Sequence, residues 1–158
     1  MRETPKTFDV VIQEKSSNEL SFNVMPGKRV KETLHINEYR IAPNYIEGIF
    51  SRKYENDMLS SPSHLIFLSV LIHWQKLVYL YFCHHQGVNV SSFDDEKFKV
   101  WPTHLDIRLP DLVTDEENLT QSFWIDRIKK LPNGHWFIKG ETRVQSIAMK
   151  GDTIVMPV

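Results

Sequence analysis

Residues 64–82, HLIFLSVLIHWQKLVYLYF, form an apolar run close to the length that spans a bilayer, broken near its middle by His73, Gln75 and Lys76. A lysine at the centre of a membrane helix costs about 2.5–3.5 kcal/mol on insertion scales, and the two polar neighbours add to that cost. A bilayer is therefore a poor solvent for this segment. The other way to satisfy it is a helix that is apolar on nearly all sides because a sheet wraps around it.

The rest of the chain has the size and character to supply that sheet. At 158 residues with 41% hydrophobic side chains it has the length of one domain with one core. Nineteen basic and 20 acidic side chains, with a pI near 6.7, give no long-range field favouring nucleic acid or an anionic membrane, so partners are expected in a pocket. The start MRETPKTFDV lacks the basic and apolar regions of a secretory signal. The lone cysteine, Cys83, excludes an intrachain disulfide and argues against structural zinc. Adjacent His84 and His85 point about 100° apart on a helix and chelate one ion badly. A reducing cytoplasm and a chain without cofactor or metal are expected.

Alternation and turn residues predict strands around the helix. Phe8–Gln13 reads as strand or short helix, MPGK (25–28) as a turn, and Thr33–Ile41 and Tyr45–Lys53 as an antiparallel pair. Ser60 or Ser61 can cap a helix with Pro62 in its first turn, and Gly87 ends it. VSSFDDEKF (90–98) reads as a loop or a short helical turn. Thr103–Pro110, Gln121–Leu131 and His135–Ser146 follow as strands. Pro132-Asn133-Gly134 is a hairpin turn supplying positive φ, and Gly151-Asp152 is a turn before a last strand, Thr153–Val158. The acidic stretch 113–120 is an exposed connection.

Two strands, a long apolar helix and four more strands make an α+β domain in which the sheet curls around the helix, the arrangement called the hot-dog fold. By fold analogy such subunits pair, so a homodimer or higher homo-oligomer is expected. The stretch YIEGIFSRKYENDMLSSPSHLIFLSVLIHWQKLVYLYF resembles the strand, turn and helix of the FcoT-like, or type III, fatty acyl-CoA thioesterases. The likeness is carried by His64, Gln75, Leu77, Tyr79 and Phe82, with a looser echo in HWFIKGETRVQSIAM. It implies hydrolysis of fatty acyl thioesters, on CoA or on acyl-carrier protein. The family's tyrosine before the helix and its two helix asparagines align with Met58, Ile66 and Gln75, of which only Gln75 is chemically similar, and Tyr54 is the candidate substitute for the tyrosine if the turn is built differently.

Candidate chemistry follows from position. His64, expected just inside the helix, lies beside the free N–H groups and positive dipole end that stabilise an oxyanion, where it acts as a base or simply packs the helix start. Gln75, on nearly the same face but roughly 16 Å further along, holds a water or the carbonyl, or else bonds a strand backbone. Asp57 is a candidate carboxylate base in a turn that equally uses aspartate for local hydrogen bonds. Tyr54, Leu68, Leu71 and Phe82 are the expected substrate-binding residues. Ser69, His73 and Lys76 form a second polar strip, a Ser-His-Lys set that suggests nucleophilic catalysis but has no acid near to orient His73, and that equally reads as a solvated edge. Competing functions on the same scaffold are β-hydroxyacyl thioester dehydration, whose His-Phe-Pro-Gly motif is absent after His64, and non-catalytic acyl binding.

Overall fold

The computed structural model describes residues 2–13, 21–26, 30–56, 65–90 and 96–158. Among these, the chain runs β1 (Val10–Gln13), β2 (Ser21–Pro26), β3 (Val30–Ala42), β4 (Tyr45–Asn56), α1 (Phe67–His85), β5 (Phe98–Arg108), β6 (Leu119–Lys130), β7 (Trp136–Val144) and β8 (Ile147–Pro157). One antiparallel sheet has the order β1-β3-β4-β6-β7-β8-β5, with β2 also on β3. β1 pairs with residues 38–41 of β3 and β2 with residues 31–35, so together they make one interrupted edge strand. The class is α+β with a single helix on an antiparallel sheet, as expected, but four strands precede the helix where the sequence suggests two.

Seven lanes of strand at about 4.8 Å spacing would lie roughly 30 Å across if flat, several times the reach of one helix. Yet α1 meets both edges. The Lys76 ammonium sits 5.7 Å from the Phe22 ring of β2, and Phe82 packs edge-on against Phe98 of β5 at 4.8 Å. The sheet must therefore bend around the helix. Inward residues recur with period two, as in Leu34, Ile36, Ile46, Phe50, Met149 and Val155, all buried.

Glycine lets the helix press onto the strands at two points. A Cβ on Gly48 would fall 2.7 Å from the His73 ring, and one on Gly151 would fall 2.4 Å from Trp74 Cη2. Gly151 thus sits inside β8, opposite Gly140, and Gly151-Asp152 is not a turn. The turn lies at Gln145, which takes φ 52°. In the hairpin at Pro132-Asn133-Gly134 only Gly134 has positive φ, and its N–H bonds Leu131 O, a type I turn closed by a left-handed glycine.

The apolar run is a buried helix, and none of the described helices is long and apolar enough to cross a membrane. From Leu77 to Cys83 every residue of α1 is buried. Its C-terminus is a Schellman motif: Val88 N–H bonds Cys83 O, Gly87 N–H bonds His84 O, and Gly87 is left-handed as the motif requires. The start differs from expectation. The helix begins at Phe67 with Ile66 as N-cap and no side-chain cap, so His64 precedes it; Ser60, Ser61 and Pro62 lie outside the described residues.

Candidate functional site at the N-terminal end of the helix

The inward alternation of β3 and β4 continues past their apolar residues onto charged ones. Two residues before Leu34 stands Glu32, and two after Phe50 stands Arg52. Both are buried. Glu32 is the direct cross-strand partner of Tyr54, and Arg52 that of Leu34, so the three polar side chains share one face of the hairpin. Ser69, also buried, descends onto them from the first turn of α1.

This group is underbonded. Arg52 Nη1 stands 3.7 Å from Glu32 Oε1, an ion pair longer than a hydrogen bond. Arg52 Nε donates to Asp115 O at 3.0 Å and its backbone N–H to Glu116 O, so the acidic connection before β6 braces the arginine. Both carboxylate oxygens of Glu32, both Nη atoms of Arg52 and Ser69 Oγ are buried without a hydrogen-bond partner among the described residues. Burial pushes the Glu32 carboxyl from 4.5 up to about 7, against the pull of the Arg52 charge, which favours the ionised form. A carboxylate poised near neutrality beside guanidinium N–H groups that lack a hydrogen bond can take a proton from water while an oxygen next to it gains charge. The first turn of α1 carries no acidic residue and no side-chain cap.

His73 and Ser69 face the sheet and are buried, so the strip they form with Lys76 is not a solvated edge. His73 stands among the rings of Phe50, Tyr39 and Phe22. Its Nδ1 meets Gln121 Oε1 at 3.0 Å, and Gln121 Nε2 donates to Val70 O and Thr142 Oγ1. Because the Val70 carbonyl can only accept, the amide orientation is set, and Nδ1 must carry the imidazole proton. With Gly48 against its ring, His73 has no room for a ligand, and the network ties helix to sheet. Burial lowers its pKa from 6.5 to about 4, against the opposing Gln121 bond. The unfolded chain therefore takes up this proton first, and His73 removes stability as pH falls from 6.5 to about 4. NMR titration of the ring should show the neutral form persisting to about pH 4; a midpoint near 6.5 would disprove this environment.

Gln75 lies about 9 Å further along the helix from Ser69 and turned well away from it, so it does not join Glu32. It lines a separate cleft of about 200 Å³ with Ile72, Lys76, Tyr79 and Val100, its Nε2 a long 3.5 Å from Val100 O. Leu68 and Leu71 are half-buried on the same open side of α1. Phe82 is fully buried among Phe98, Trp136 and His85. Tyr54 is brought beside Glu32, while His64 and Asp57 lie outside the described residues, on the stretch joining β4 to α1. Among the described residues no three His, Cys, Asp or Glu side chains converge to hold a metal.

No family model matches this chain, and no curated protein does. The residues that sequence reading passed over left a signal. Extending the alternation of Thr33–Ile41 by one residue puts Glu32 on the apolar face, and the same period puts Arg52 there.

Proposed function

We propose that the protein is a hot-dog hydrolase of fatty acyl thioesters, carried on CoA or acyl-carrier protein, with water attacking the carbonyl near the N-terminus of α1. The observation that carries this reading is the buried Glu32 carboxyl, poised at about pH 7, with Arg52 Nη groups that make no hydrogen bond beside it and Ser69 of the helix's first turn above it. Glu32 takes the proton of the attacking water. The Arg52 N–H groups and the first-turn amides receive the oxygen as it becomes an oxyanion. The acyl chain lies along Leu68 and Leu71, on the side of the helix that the sheet leaves half open. Tyr54 stands beside Glu32, Gln75 lies at the cleft further on, and Asp57 and His64 lie outside the described residues.

The hot-dog reading is supported by one helix held inside a bent antiparallel sheet, and a homodimer in the cytoplasm is the expected form. The test is release of free thiol from acyl-CoA and acyl-carrier substrates of graded chain length by the purified protein. Turnover rising with pH through about 7 is the expected result; no thiol from any chain length would overturn the assignment.

A further inference from the structure

The site around Glu32 holds more unpaired polar atoms than hydrolysis of a plain fatty acyl thioester uses. Five are buried there without a hydrogen bond among the described residues: Glu32 Oε1 and Oε2, Arg52 Nη1 and Nη2, and Ser69 Oγ, with Oε1 and Nη1 held 3.7 Å apart as a long ion pair. An attacking water engages one carboxylate oxygen, and the thioester carbonyl takes one guanidinium nitrogen. One Nη, one Oε and the serine hydroxyl are left over. Each such group left dry without a hydrogen bond carries a desolvation penalty.

Nη1 and Nη2 are the two prongs of a fork, offering parallel N–H donors to two oxygens held side by side. A saturated chain puts a methylene where the second oxygen would go. An oxygen on the carbon β to the carbonyl lies next to the carbonyl oxygen and meets the second prong, and a hydroxyl there can donate onward to Glu32. The fragment must also be neutral, because Glu32 and Arg52 already balance each other's charge and an added anion would face the carboxylate.

We infer that the acyl group this site accepts carries a hydroxyl or oxo group β to the thioester carbonyl. The inference rests on the hydrolase reading for the reaction and adds the substrate class. Arg52 is then the residue that separates oxygenated from plain chains.

The experiment compares kcat/KM of the full-length protein for 3-hydroxyacyl-, 3-oxoacyl- and saturated acyl-CoA of one chain length, read as free thiol. The oxygenated substrates should be preferred by about tenfold or more, since the saturated chain leaves buried donors unpaired. Arg52→Lys, which keeps the charge but loses the fork, should bring that ratio toward one. Equal kcat/KM for the three substrates would overturn the inference and leave hydrolysis standing. If no substrate releases thiol, the hydrolase reading falls, and calorimetric binding of the same three still decides the substrate class: equal affinities overturn it. Enoyl product from the 3-hydroxyacyl substrate would keep the substrate class and replace hydrolysis by dehydration.

Discussion

Glu32→Gln should lower the proposed thioester hydrolysis by about a hundred- to ten-thousandfold, the usual contribution of a positioned general base. Gln keeps the shape of the side chain and cannot take a proton, so the residual rate should lose its rise through pH 7. A purely structural Glu32 would leave that pH profile in place. Stability supplies a second, independent readout. Because burial raises the Glu32 pKa from 4.5 to about 7, the folded protein holds this proton where the unfolded chain has lost it. Stability from this group is present below pH 4.5 and is lost as pH rises through about 7. His73 works in the opposite direction over nearly the same range, its pKa being lowered from 6.5 to about 4. In the wild type the two limbs offset each other, each amounting to about 3 kcal/mol at most. Glu32→Gln removes only the first, so urea unfolding at pH 7, 5.5 and 4.5 should show the variant losing stability on acidification more steeply than the wild type. Parallel curves would mean that Glu32 does not hold its proton as its burial implies.

Trp74→Ala should destabilise the fold by about 3–5 kcal/mol, because it empties the centre of the core. Trp74 is fully buried, edge-on to Phe123 at 5.8 Å and pressed against the backbone of Gly151. Gly151→Ala alone should cost about 1–3 kcal/mol by overpacking, since the new methyl would stand 2.4 Å from the indole. The two changes share one space, so their costs will not add. With Trp74 removed, alanine at 151 should be neutral or slightly stabilising, as it is in any strand position with room. Denaturant midpoints of the wild type, both single variants and the double variant measure the coupling. Additive costs would show that the glycine is not there to seat the indole.

The legible parts of this chain were those decided over short distances. The helix ends at Gly87 because a left-handed residue is needed there, and the pairing of β3 with β4 follows from alternation and a tight connection. The errors arose where neighbours in space outvote neighbours in sequence. Gly151-Asp152 reads as a turn, yet Gly151 is a strand residue made small by Trp74 from another element. Ser69 and His73 read as a solvated strip, yet the sheet closes over them.

The candidate site divides along the same line. The sequence by itself determined that a polar-interrupted apolar helix would pack against antiparallel strands, because burying that much hydrocarbon leaves few other arrangements. It also contained the inward placement of Glu32, one alternation step before Thr33–Ile41, and of Arg52, two residues after Phe50 within Tyr45–Lys53. Only the tertiary structure decided that these two meet Ser69 at the start of the helix while Gln75 turns to a different cleft. That outcome depends on how far the sheet bends and on the rotation of α1 against it, which are set by the packing of Trp74 and His73 onto glycines far away in the chain.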